Sequence, residues 1–337
     1  MQLPHVLHKR VGFVTALARN RFNWIKSRLL RQIAYHGAKH VGMTLNVFRD
    51  TRSDLFLIFE HKAEYSIPLY FLLLCKGKPV FFFVHDMQQC ATSKLRSRIA
   101  LNICRAFVRV GKFYPIFISL NDAQLEKSFR FAPEKTLTIP HPHHLANGPA
   151  PVRVRRAPGQ RLRVGIIETT RKEKSVQNLL QILEKAQARL DFELVIGVPL
   201  LKCPAWCKQT PWEIFDTTTE AQYSGYFRSL DIFVVDFLRS DYWFRPSGAV
   251  VDAGMNGCYV ICPDFPVFRA QIEIPVSIGS TFSSLEEIPR VLEKAIDRLK
   301  TETVDFEAWR RYHRTENIAL QFKTFFDEKI QPNPAPG

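Results

Sequence analysis

Tyr242 to Gln271, YWFRPSGAVVDAGMNGCYVICPDFPVFRAQ, is the stretch that decides how this chain folds. Ser247 and Gly248 stand where a helix N-cap is wanted, Ala249 to Met255 can form a short helix, and Gly257 can stop it. Cys258 to Cys262 is then an apolar, β-favouring run, so the order is loop, helix N-terminus, helix, glycine stop and buried strand. A helix that opens at Ser-Gly presents backbone N–H groups and the positive end of its dipole, with no Cβ at the glycine to block an anion. Asp252, one turn in, projects near the same mouth. Arg245, with Trp243 and Phe244, can grip a phosphate or stack on a base. The same residues also suit an ordinary helix-to-strand corner, in which Ser247 caps and Asp252 answers the dipole.

Outward from this segment, short apolar runs alternate with helical ones. In the first half Val11 to Leu17, Val41 to Phe48, Leu55 to Glu60, Val80 to His85, Tyr114 to Leu120 and Thr136 to Pro140 read as strands, with helices at Phe22 to Tyr35 and around Leu69 to Cys75. In the second half the strands are Val164 to Ile167, Phe192 to Ile196 and Ile232 to Val235, with helices around Ser175 to Ala188 and Thr219 to Ser229. This alternation predicts α/β architecture with parallel sheets. Between the halves HPHHLANGPAPVRVRRAPGQRLR is rich in Pro, Gly and Arg and has no hydrophobic period, so it reads as a linker. The expected division is an α/β domain over 1–145, a linker over 146–162, a second α/β domain over 163–304 and an amphipathic tail over 305–337. Paired Rossmann-like halves bind ligands at the C-terminal ends of their strands.

The quoted segment resembles the donor-binding helix of the GT-B-fold glycosyltransferases, nucleotide-sugar enzymes with two facing Rossmann-like domains. In that family a pattern E-x7-E leads into a run like EAxAxGxPVI. Here the later acid matches Asp252 and DAGMNGCYVI follows in register. Phe244 stands where the earlier acid would be, and Ser247 with Gly248 resembles the small pair that some branches keep instead. A second segment, VGIIETTRKEKSVQNLL from Val164 to Leu180, is similar to the family's donor loop. Lys174, followed by Val176, Leu179 and Leu180, matches its lysine; Thr169 replaces its arginine, and Arg171 and Lys172 are placed to substitute. The chemistry needs such cations, because a nucleotide diphosphate leaving group gains charge as the glycosyl bond breaks. A third segment, PVFFFVHDMQQ from Pro79 to Gln89, ends a strand in His85 and Asp86, similar to the family's HD strand ending. There His85 would orient or deprotonate an acceptor hydroxyl, and Asp86 would set its tautomer or bind sugar hydroxyls.

The resemblance therefore implies a GT-B fold whose C-terminal helix crosses back to the first domain, and sugar transfer from a nucleotide diphosphate sugar to an acceptor hydroxyl. It implies catalytic His85 and Asp86 and a donor site of Arg171, Lys172, Lys174, Arg245, Ser247, Gly248 and Asp252. No metal or other cofactor is expected. Family settings are surface polysaccharide, lipid-linked glycan and glycolipid synthesis, so the implied acceptor is a glycan or lipid-linked glycan and the implied place is cytoplasmic, peripheral on the inner face of the cell membrane. Phe244 and Thr169 motivate the alternative, a GT-B-shaped scaffold without catalysis.

At 337 residues and 46% hydrophobic, the chain has material for two cores. Its 7 Cys, an odd number at irregular spacing, argue against a disulfide framework and for a reducing compartment. His5, His8, Lys9, Arg10 and Arg19 break the apolar residues of Met1 to Asn20, so no signal peptide is expected. Ile67 to Val84 is too interrupted, by Pro68 and the Lys76 to Pro79 turn, to span a bilayer. Cys203 and Cys207 lack a second pair, and His141, His143 and His144 lack partners at ligand spacing, so no metal centre is expected. A G-x-S-x-G elbow and a G-x-G-x-x-G fingerprint are both missing.

The net charge of +15 asks for an anionic partner. Residues 94–112 combine Lys94, Arg96, Arg98, Arg105, Arg109 and Lys112 with Leu95, Ile99, Ile103, Phe107 and Val108. Such a basic, apolar-striped helix suits the headgroup layer of an anionic membrane, and a solvated face on a basic protein fits the same charges. The charge alone also motivates a lesser alternative, a basic nucleic-acid-binding protein, but no RNA- or DNA-binding module is present, so no nucleic-acid partner is expected.

Overall fold

A computed structural model describes residues 11–13, 41–59, 67–84, 95–118, 129–143, 159–168, 176–203 and 211–330. The chain divides into two units, Met1–Ile139 with Gln321–Gly337, and Pro140–Leu320.

The first unit holds a parallel sheet of β1 (Val11–Phe13), β2 (Leu55–Ile58), β3 (Val80–Phe83), β4 (Phe113–Ile118) and β5 (Leu137–Ile139), hydrogen-bonded in that order. Its inner strands β2 and β3 are continuous apolar runs because a covered parallel sheet has no wet face, and all of β2 is buried. The helices α1 (41–49), α2 (Ile67–Lys76) and α3 (Leu95–Val110) lie between the strands in sequence. Tyr70 of α2 meets the rings of Phe82, Phe107 and Phe113 at 6.0, 5.4 and 5.8 Å.

Helix α1 corrects the expected strand Val41 to Phe48. Val41, Met43, Leu45 and Val47 alternate as a strand would, but the buried pair is Met43 and Val47, one helical turn apart at 0% and 1% exposure. Val41, Leu45 and Phe48 face outward at 60%, 47% and 66%. Helical spacing wins because one stripe suffices to bury the helix. The Lys76 ammonium closes its C-terminal end on the carbonyls of Phe48, at 3.3 Å, and Asp50.

The second unit holds a parallel sheet of six strands. They are β6 (Leu162–Ile167), β7 (Phe192–Val198), β8 (Glu213–Asp216), β9 (Ile232–Val234), β10 (Tyr259–Pro263) and β11 (Gly279–Phe282), in the order β11-β10-β9-β6-β7-β8. The order reverses between β6 and β9, so their C-terminal ends flank the switch point where doubly wound sheets take ligands. The helices are α4 (Val176–Gln187), α5 (Glu220–Ser229), α6 (Arg239–Tyr242), α7 (Gly248–Met255), α8 (Pro266–Glu273), α9 (Ile288–Thr301) and α10 (Phe306–His313).

The tail forms two helices, α10 and α11 (Thr315–Ile330). From Gln321 onward α11 belongs to the first unit, where Phe326 stacks on Phe81 at 3.8 Å and Phe325 meets Tyr114 edge-on at 6.0 Å. The return of the C-terminal helix to the first domain is thus part of the fold.

Candidate functional site

Helix α7 forms where the sequence places it, and neighbouring elements fix it at both ends. Gly257 takes φ 79°, the left-handed turn that stops the helix. The Cys258 N–H reaches Ala253 O at 2.9 Å and the Gly257 N–H reaches Gly254 O at 3.0 Å, so the last turn is paired as the chain enters β10. Helix α10 comes close because position 254 is glycine: a Cβ there would lie 2.6 Å from Ile278 Cδ1 and 2.7 Å from Trp309 Cη2. Trp309, fully buried, donates its indole N–H to Gln271 O at 2.8 Å. Gln271, on α8, spends its own amide on Ser247: Oε1 accepts the Ser247 N–H and Nε2 donates to Ser247 O, each at 3.1 Å.

Ser247 therefore holds the N-cap position without acting as a cap; its side chain makes no cap bond. The Gln271 amide instead pairs the buried backbone on both sides of the residue. The first turn of α7 carries no acid, so its positive end is not neutralised from within the helix. Within 4 Å, a Cβ at Gly248 would meet only His141 Cε1, at 3.9 Å, so side chains leave the backbone there open to approach.

Asp252 is part of a cluster. Its Oδ2 accepts the Tyr223 hydroxyl at 3.0 Å, and its Oδ1 lies 3.1 Å from His143 Nε2. The Asp252 side chain is 26% exposed and that of His143 only 3%. Tyr223 reaches it from α5, whose start is fixed by a capping box between Thr219 and Gln222. Burial, then the charge and hydrogen bond of Asp252, push the Tyr223 phenol far above its ordinary range. His313, stacked on Trp309 at 3.7 Å, is driven down to about 4, first by burial and then by His141 and His143. Sequence reading singled out Asp252 but not its partners, because no local pattern links Tyr223 or His143 to α7.

Arg245 is half-buried, its guanidinium 5.3 Å from the Tyr242 ring centroid. Trp243 packs on Phe265 at 5.4 Å and Phe244 is 4% exposed, so these aromatics serve as packing. His85 and Asp86 fall outside the described residues, just past β3, and so do Arg171, Lys172 and Lys174, between the end of β6 and the start of α4. Asp236 is a candidate that sequence reading passed over. It lies two residues past β9 and lines a small hollow with Ile167, Val176 and Val235 at the switch point. Burial raises its carboxyl, partly offset by the Phe237 N–H. A carboxylate immediately after an apolar strand was the available signal. Among the described residues no three or more His, Cys, Asp or Glu are grouped to hold a metal ion.

No protein-family model matches the sequence and no curated protein matches it. Solved structures do. Sucrose-phosphate synthase from Thermosynechococcus elongatus matches at TM-score 0.59 and 13% identity over 93% of this chain and 82% of that one. The lipopolysaccharide outer core galactosyltransferase WaaB in its apo form matches at TM-score 0.59 and 14% identity over 90% and 82%. Anabaena Alr3699/HepE in complex with UDP matches at TM-score 0.59 and 13% identity over 85% and 82%. The chain has the GT-B fold of glycosyltransferases.

Proposed function

We propose that the chain is a metal-independent glycosyltransferase that moves a sugar from a nucleotide diphosphate sugar to an acceptor hydroxyl. The observation that carries this reading is the N-terminus of α7, with no side-chain cap from Ser247, no acid in its first turn, Gly248 at its mouth and Asp252 one turn in. In this scheme the diphosphate rests on the N–H groups of that turn and Lys174, Arg171 and Lys172 neutralise it, with Arg245 beside them. Asp252 accepts ribose hydroxyls. His85 and Asp86 orient the acceptor hydroxyl and the donor sugar. The chain's own cations and N–H groups meet the leaving-group charge.

The acceptor in this reading is a glycan or lipid-linked glycan at the cytoplasmic face of a membrane. Among the described residues no helix is long and apolar enough to cross one. The outward face of α3 supports peripheral contact: Leu95, Ile99 and Val110 are 72%, 52% and 69% exposed, with Arg98 and Arg109 exposed on the same face. Arg105 does not belong to that face, because its guanidinium donates to Phe129 O and to Asn102 Oδ1.

Isothermal titration with UDP, GDP and their sugars, followed by transfer assays, tests the reading. Lys174→Ala and Asp252→Ala should each weaken nucleotide binding by about 1 to 3 kcal/mol. Unchanged affinity in both variants refutes the donor site. A wild type that binds no nucleotide favours the scaffold alternative, which the buried Phe244 supports, and binding of polynucleotide alone favours a nucleic-acid role.

A further inference from the structure

We propose that His143 and Tyr223 are positioning residues of the nucleotide site, holding the Asp252 carboxylate so that its outward lone pairs meet the vicinal hydroxyls of a ribose; this rests on the donor reading above. The geometry is two-sided. Tyr223 donates to Oδ2 at 3.0 Å and His143 Nε2 stands 3.1 Å from Oδ1, so each carboxylate oxygen has one neighbour from the chain itself. A carboxylate oxygen accepts at two sites, which leaves one on each oxygen for a ligand. At 26% exposure the carboxylate still reaches solvent, whereas His143 at 3% does not. Two vicinal hydroxyls match two adjacent oxygens held at fixed spacing.

The surroundings fit a brace. The Tyr223 ring is set edge-on against Phe227 at 5.0 Å, so its hydroxyl is delivered by a packed ring. With its phenol raised by burial and by Asp252, Tyr223 remains an O–H donor at working pH. His313 is kept neutral by burial and by His141 and His143, so it adds no positive charge behind the cluster. A free aspartate side chain on a helix surface samples several rotamers; one bonded by Tyr223 at Oδ2 with His143 set against Oδ1 is ordered before the ligand arrives, which lowers the ordering cost of binding.

A purely structural tie between α5, His143 and α7 would stabilise the fold without reading the ribose. A double-mutant cycle on affinity for UDP and 2′-deoxy-UDP separates the two. Tyr223→Phe keeps the ring and should weaken UDP by about 3- to 10-fold. His143→Gln, which retains a side-chain N–H donor, should keep more affinity than His143→Leu. In an Asp252→Ala background Tyr223→Phe should change nothing further. The preference of wild type for UDP over 2′-deoxy-UDP should shrink in Tyr223→Phe. An equal loss in the Asp252→Ala background, or an undiminished preference for the 2′-hydroxyl, overturns the inference. Affinity lost in Asp252→Ala but unchanged in Tyr223→Phe and His143→Leu overturns it while leaving the donor reading intact. A wild type that binds neither UDP nor GDP overturns both.

Discussion

Gln271 fixes the mouth of α7, and its removal has a cost that can be worked out bond by bond. Gln271 is 1% exposed and Ser247 5%, and the two share a pair of 3.1 Å hydrogen bonds. Gln271→Leu keeps the volume, so no large cavity opens, but it leaves the Ser247 N–H buried without its partner, while the Ser247 C=O keeps only the Val251 N–H, at 3.4 Å. The orphaned N–H costs about 1 to 3 kcal/mol, and the bond lost at the carbonyl adds about 0.5 to 1.5 kcal/mol. The burial of leucine's apolar branch offsets part of this, leaving an expected loss of about 1 to 3 kcal/mol. Gln271→Glu sharpens the argument. Its carboxylate still accepts the Ser247 N–H, but it turns an acceptor toward Ser247 O and buries a charge, so at neutral pH it should be at least as harmful. Burial raises the folded pKa of that glutamate above the unfolded value of about 4.3. Below the unfolded value both states hold the neutral acid, whose O–H can donate to Ser247 O, and the deficit against wild type is smallest. It grows as pH rises from the unfolded pKa through the folded one. Urea titrations of wild type and both variants at neutral and mildly acid pH measure this. A Gln271→Leu loss below about 0.5 kcal/mol, or a Gln271→Glu deficit independent of pH, refutes the reasoning.

His313 should make stability acid-sensitive. With its folded pKa depressed to about 4 from an ordinary 6.5, the second unit is fully stable above the unfolded value and loses stability as pH falls toward the folded one, by at most about 1.4 kcal/mol per pH unit. His313→Phe keeps a ring against Trp309 and should flatten that slope in urea titrations; an unchanged slope assigns the acid sensitivity elsewhere. Gly254→Ala puts a Cβ 2.6 Å from Ile278 Cδ1 and should lower stability by about 1 to 3 kcal/mol in thermal melts. Arg98→Glu with Arg109→Glu should reduce sedimentation with anionic vesicles, most at low salt. Equal wild-type binding to neutral and anionic vesicles removes the membrane role.

Elements with a strong local signal were legible. VFFF in β3 and LFLI in β2 read as buried parallel strands because nothing polar interrupts them, and both are almost wholly buried. Gly257 read as a stop because a glycine after an apolar helical run marks a left-handed turn, and its φ is 79°. Edges were not legible. EIFD in β8 is exposed or half-buried along its length, and GSTF in β11 has one large apolar residue, so neither shows a period or a continuous run. Residues 41–49 carried both periods at once, and only the burial of Met43 with Val47 decides between them.

The site divides the same way, between what the local chain dictates and what three-dimensional neighbours supply. Gly248 and Asp252 follow from the helix they sit on, so their positions, first in the helix and one turn in, were readable. The hold on that helix was not: Gln271 lies 24 residues from Ser247, and Tyr223 lies 29 from Asp252. Local chemistry therefore gave Ser247 the capping role, since a serine before a helix caps in most settings. A distant amide does the work of fixing the backbone instead, and the consequence reaches function. A helix start held by its own serine would spend a first-turn N–H on that hydroxyl. Held by Gln271 through the backbone of Ser247, α7 is fixed in direction while no bond from that hydroxyl occupies its first-turn N–H groups, the condition an incoming diphosphate requires.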